Sequence, residues 1–147
     1  MRESTFQTRF LKWLMNQEDF ETFAFELKIT KTKSLSFNAL LEHQKISLLN
    51  TKHRRLAHKI ADDSVGFKPY DGFFFKKEPA FVVIQFYKRG EKRFYMIDID
   101  DWVTEPTISD RKSITEERAA DIGWTCLLNK KNGCTRQPVG RRKGREA

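Results

Sequence analysis

Glu26 and Lys28 stand two apart in the segment FETFAFELKIT, residues 20–30. Phe23, Phe25, Leu27 and Ile29 alternate there with Thr22, Ala24, Glu26, Lys28 and Thr30, a period of two that predicts a strand with one apolar face. Positions i and i+2 of a strand share a face. A carboxylate and an ammonium therefore project together, opposite the Phe25–Leu27 side. The pair suits phosphodiester hydrolysis: a carboxylate can hold a divalent metal, and a cation can stabilise charge that builds up on the phosphate. A solvated strand face carries Glu and Lys just as readily, so the pair needs companions.

Two companions stand elsewhere in the chain. Gln44, preceded by His43, falls on the apolar face of the next predicted helix, between Leu40, Leu41 and Leu48. A buried amide without partners costs on the order of 1–3 kcal/mol. A carboxylate or a metal-bound water would satisfy it, and so would solvent at the helix edge. Asp71 follows Lys68-Pro69-Tyr70 and precedes Gly72 and an aromatic run. A Pro turn there presents a carboxylate at the head of a strand, either for a metal or as an Asx-type turn cap.

The elements that must position these groups follow from periodicity and turn chemistry. Phe6, Phe10, Trp13 and Leu14 predict a helix over residues 4–16, capped by Ser4 or Thr5. After the polar turn KTKSLS, Ser36 or Asn38 caps a helix over 37–50. A short strand fits around 56–61, and GFKPY at 66–70 is a turn. Strands are predicted at 71–76, 80–87 and 93–99, the last two joined as a hairpin through RGEK. Beyond Trp102 the pattern loosens (TEPTISDRKS). Ser113 and Glu116 have capping-box spacing, which predicts a helix from Ile114 to about Asp121. The last dozen residues, RQPVGRRKGREA, lack an apolar pattern and hold five basic residues against one Glu. Residues 1–135 thus read as one α+β (mixed α/β) domain, with a central mixed sheet of 20–30, 71–76, 80–87 and 93–99 between helices. Residues 136–147 read as a basic, disordered tail.

With 147 residues, 39% apolar and 13 of them Phe, the chain can bury a core. Its net charge of +8 points to a polyanionic partner, a nucleic acid or an acidic membrane. No apolar run approaches the roughly 18 residues needed to cross a bilayer, and MRESTFQTRF has no apolar signal core. These features predict a cytoplasmic protein with no membrane partner. Cys126 and Cys134 lack zinc-site spacing and read as free thiols.

FELK, the HQ pair on the next helix, and the strands AFVVIQFY and RFYMIDI together resemble the small Holliday-junction resolvases of phages and Gram-positive bacteria, members of the PD-(D/E)XK nuclease superfamily. The resemblance covers roughly residues 20–102. It implies a restriction-endonuclease-like core, Mg²⁺ or Mn²⁺ as cofactor, branched or structured DNA as partner, and a homodimer. It also implies Glu26 as metal ligand, Lys28 as catalytic cation and Gln44 as site support. Many members add an acidic residue on the first helix, for which only Glu3 is available here.

The family's metal-binding Asp precedes Glu-x-Lys. Here Glu3, Glu18, Asp19 and Glu21 are the only upstream acids, and Asp71 is preferred as the second carboxylate, displaced to after the helix. A second filling, Asp71 with Gln85 and Lys88, needs a bulge, because residues three apart on a regular strand face opposite ways. Lys31, Lys33, Lys52, Arg54 and Arg55 cluster around the proposed site, and Arg141 and Arg142 in the tail add non-specific phosphate contacts. The runner-up expectation is a non-catalytic nucleic-acid-binding module with the same fold. A basic RNA-associated protein without an active site is the third.

Overall fold

The computed structural model describes residues 2–18, 20–61 and 66–136. Phe6, Phe10 and Trp13 put one buried stripe on helix α1 (Glu3–Met15), and the alternation that follows forms strand β1 (Ala24–Thr30). Next come β2 (Ser34–Ser36), a 3₁₀ turn at Phe37–Ala39, α2 (Glu42–His53), β3 (Leu56–Lys59) and β4 (Gly72–Phe75). They are followed by β5 (Ala80–Phe86), β6 (Arg93–Asp98), α3 (Ile99–Ser109), β7 (Ser113–Thr115), α4 (Glu116–Ile122), β8 (Trp124–Leu127) and β9 (Thr135–Arg136).

The central sheet runs β1-β5-β6-β8-β9. β1 and β5 are parallel, so the chain must cross from one end of the sheet to the other between them, and residues 31–79 make that crossing. The remaining neighbours are antiparallel, and Gly90, at φ +79, turns the chain from β5 into β6. One face of the sheet carries Ala80, Val82, Ile84 and Phe86 against α2, α3 and α4. The opposite face carries Leu27, Val83, Phe94 and Met96 against the aromatic stripe of α1, where the Phe10 and Phe25 rings stand 4.9 Å apart edge to face. The molecule is thus an α+β single domain of four α-helices and a five-stranded mixed sheet, with two small two-stranded ladders, β2-β7 and β3-β4, among the described residues.

Several sequence expectations are corrected. Residues 71–76 do not join the central sheet. Among the described residues β4 pairs only with β3, in a separate antiparallel hairpin with Phe73 and Phe74 exposed. Gly72 permits the close pairing, since a Cβ there would meet the His58 carbonyl oxygen at 2.2 Å. The helix expected over 37–50 is a 3₁₀ turn and then α2, because Leu40 and Leu41 are extended. Ser113 belongs to β7, and Thr115 is the cap of α4, its hydroxyl accepting from the Arg118 N–H. The stretch that looked loose after Trp102 is the body of α3, started by Asp98 accepting from the Asp100 N–H.

Cys126 and Cys134 are joined in a disulfide. The β8-β9 register pairs Thr125 with Thr135, which places the two cysteines opposite each other. No described helix is long and apolar enough to cross a membrane. Arg136 lies in β9, while the tail expectation for 137–147 falls outside the described residues.

α3 and α4 are tied by a two-pronged ion pair: Arg118 donates through Nε to Glu105 Oε1 at 2.6 Å and through a second nitrogen to Oε2 at 3.1 Å. Glu105 is 2% exposed. Removing one partner of a buried pair leaves the other charge stranded, so Glu105→Ala is expected to lower stability by about 3–5 kcal/mol in urea denaturation. Glu105→Leu with Arg118→Met is expected to recover most of that loss, since an apolar replacement strands no charge.

Candidate active site

β1 lies at one edge of the sheet, and its alternation decides which groups face α2. Glu26 is paired with Val82 and Lys28 with Ile84, both neighbours on the face that α2 covers. α2 begins at Leu41, which has no side-chain oxygen to cap it. Gln44 supplies the reciprocal half of a cap from inside the helix: its Oε1 accepts from the Leu41 N–H at 3.0 Å. The other end of the same amide donates through Nε2 to Glu26 Oε1 at 2.8 Å. Lys28 Nζ stands 3.7 Å from that oxygen, and its side chain is only 13% exposed against 31% for Glu26. Glu26, Lys28 and Gln44 therefore meet in one place, partly withdrawn from water. A carboxylate whose rotamer is fixed, beside a cation held close, can ligate a hard metal or orient a phosphate.

Asp71 does not belong to this group. Its side chain is 96% exposed, pairs with Lys68 at 3.5 Å, and sits at the head of the β3-β4 hairpin. Among the described residues, no group of three or more His, Cys, Asp or Glu side chains could hold a metal ion. The alternative filling also fails to converge. Gln85 is fully buried on the α1 side of β5, donating to the Glu91 carbonyl at 3.5 Å, while Lys88 pairs with Glu116. Of the upstream acids, Glu3 is exposed in the first turn of α1, Glu18 pairs with Lys131, and Glu21 lines an apolar pocket beside Phe23 and Trp124. Asp19 lies outside the described residues.

The expected phosphate-binding cations divide into three kinds. Lys31 and Lys33 are exposed in the turn after β1, and Arg54 and Arg55 are exposed after α2. Lys52 is turned inward, contacting Asp98 Oδ1 at 2.6 Å and Asp100 Oδ2 at 2.5 Å, with His53 on Asp100 Oδ1 at 2.7 Å. Arg141 and Arg142 fall outside the described residues. The Lys52–Asp98–Asp100–His53 cluster, which pins the end of α2 to the start of α3, escaped the sequence reading. Its signal was the acidic run IDIDD, which would begin a helix favourably, opposite the basic run KHRR.

Burial disfavours the charged forms in this cluster, but the hydrogen bonds outweigh it. The Lys52 ammonium is held above its ordinary value by Asp100 and Asp98, and the Asp100 carboxyl below its own by Lys52 and His53. A depressed carboxylate contributes stability above its unfolded value, and that contribution is lost as pH falls through the folded value. The difference in urea midpoint between wild type and Asp100→Asn is therefore expected to be full at neutral pH and to close on acidification below 3.8. For Gln44→Leu, which frees the Leu41 N–H and leaves Glu26 without its donor, a loss of about 1–3 kcal/mol is expected in the same measurement.

Comparison with protein-family models, with curated proteins and with solved structures gives no match.

Proposed function

We propose that this protein is a metal-dependent endonuclease acting on branched or structured DNA, with a restriction-endonuclease-like core of the PD-(D/E)XK type. The observation that carries the reading is the convergence on one face of β1: Glu26 and Lys28 side by side, with the Gln44 amide fixing the carboxylate. Hydrolysis of a phosphodiester needs a hard-oxygen ligand and a nearby cation, and these residues supply both types.

Glu26 would hold Mg²⁺ or Mn²⁺ as a single carboxylate ligand. Mg²⁺ usually keeps several waters and is bound through one or two carboxylates plus substrate phosphates, so DNA itself would complete the shell. When bound, the metal supplies Lewis-acid polarisation of a phosphate oxygen and a lowered pKa for an attacking water. Lys28 then stabilises the charge that develops on the phosphate, from a position where little water competes with it. Gln44 keeps the Glu26 oxygen aimed by using its own carbonyl on the Leu41 N–H. Exposed Lys31, Lys33, Arg54 and Arg55 serve as phosphate contacts. A cytoplasmic homodimer is part of the same reading.

A second reading, a non-catalytic DNA-binding module, is favoured by one observation: Asp71, the preferred second carboxylate, stands exposed on a separate hairpin. A cleavage assay on a panel of branched DNAs with Mg²⁺ or Mn²⁺ separates the two. Wild type is expected to cut, while Glu26→Ala and Lys28→Ala each lose about a hundredfold or more in rate and keep DNA binding. Asp71→Ala is expected to cut at close to the wild-type rate. Absence of cutting by wild type, with branched-DNA binding intact, would establish the module instead.

A further inference from the structure

We propose that the β3-β4 hairpin is a binding platform for unpaired nucleotides, distinct from the Glu26–Lys28 site. The inference rests on the nuclease reading only in taking nucleic acid as the partner. A two-stranded ribbon is marginal in water unless a face is covered, yet among the described residues neither β3 nor β4 pairs with any other strand. Phe67 is 92% exposed, Phe74 63%, Tyr70 50% and Phe73 44%. Single exposed apolar residues are ordinary, but four exposed rings within eight positions of one hairpin call for an occupant.

The register distributes the rings over both sides of the ribbon. Phe73 and Phe75 share one face with His58 and Leu56, their rings stacked at 5.8 Å and 24°, and Tyr70 packs edge-on against Phe73 at 5.1 Å. Phe74 occupies the other face with Ala57, and the Arg55 guanidinium lies over its ring at 5.3 Å. Beside Phe74 opens a groove of about 640 Å³ lined by Arg55, Lys76, Lys77 and Glu78. Over residues 54–77, six Lys and Arg stand against three Asp.

Rings and cations interleaved at this density suit a single nucleic-acid strand, whose bases stack on the rings while its phosphates meet the cations. A duplex hides its base faces within its own stack. The centre of a protein interface is normally poor in Lys, which is abundant here. An anionic membrane would use the same cations, but the large exposed apolar groups of the ribbon are aromatic rings, with no exposed Leu, Ile or Val among its described residues.

The test is fluorescence anisotropy on the full chain, with a labelled oligothymidylate and a blunt duplex of equal length, in EDTA so that no cutting intervenes. Wild type is expected to prefer the single strand. Phe73→Ala and Phe74→Ala should each weaken that binding by about tenfold, with the salt slope unchanged. Phe74→Trp should retain it, and Phe74→Leu, which keeps apolar bulk without a π-face, should not. Lys76→Ala should reduce the salt slope by about 0.7, one phosphate contact. Circular dichroism of these surface variants should match wild type.

Equal affinity for strand and duplex, or unchanged binding in the ring variants, would overturn the proposal. So would Phe74→Leu binding like wild type, or ring-dependent binding to phosphatidylserine vesicles in place of DNA. Binding is read in EDTA, so a protein that never cuts can still confirm the platform. Normal cutting with indifferent ring variants removes the platform alone.

Discussion

A single side-chain amide sets the geometry on which the rest depends. Gln44 accepts from the first turn of its own helix and donates to a carboxylate on the neighbouring strand. Each bond needs the other's geometry: α2 must start at Leu41 for the amide to reach back, and β1 must present Glu26 inward for the amide to reach across. A hydrogen bond to a charged group contributes about 1.5–3 kcal/mol, roughly twice a neutral one. That gain offsets part of the cost of holding Glu26 and Lys28 partly out of water. Without the amide, the Glu26 carboxylate would have Lys28 at 3.7 Å as its neighbour, a distance that allows attraction without fixing orientation.

The parallel pairing of β1 with β5 explains why so many unusual groups fall in one stretch of chain. An antiparallel pair can close in two residues, whereas a parallel pair needs a long crossing. Residues 31–79 provide it, and they carry the exposed Lys31 and Lys33, helix α2 with Gln44, the basic run at its end, and the aromatic hairpin. Beneath the crossing, strand β5 of the central sheet is buried along most of its length. Chemistry-bearing groups are thereby confined to the edge strand and the crossing, where side chains can be charged without entering the core.

The sequence made the site strand legible because its signal is local. Alternation from Phe23 to Thr30 states both the strand and the face of each residue, and the structure keeps that assignment. GFFF carries no alternation, so periodicity could not say whether β4 was buried in the sheet or exposed beside it; pairing with β3 decided that. Pro106, between Thr104 and Thr107, hid α3, although Asp98 as cap and Asp100 with Asp101 in the first turn are an ordinary helix start. The cysteine pair needed the β8-β9 register, a long-range fact that no spacing rule supplies. Gln44 was visible as a polar residue on an apolar face, but its partner depended on the packing of α2 against β1.

The inward turn of Lys52 bears on how a polyanion would lie on the surface. With its ammonium held by Asp98 and Asp100, the phosphate contacts expected from the sequence that stay exposed among the described residues stand in two places: Lys31 and Lys33 at the end of β1, and Arg54 and Arg55 beyond the end of α2. Gln44, at the start of α2, is ten residues from Arg54, about 15 Å along the helix axis. A strand of B-form DNA advances about 3.4 Å per phosphate. Under the proposed function, a strand running along α2 from a phosphate at Lys28 would reach the foot of the hairpin after roughly four or five nucleotides. A continuous duplex of that length would meet the exposed Arg54 and Arg55 but could not offer its bases to Phe73 or Phe74. Under the proposed nuclease function, a substrate whose strands separate within half a turn of the scissile bond would satisfy both places at once, as branched DNA can and linear duplex cannot.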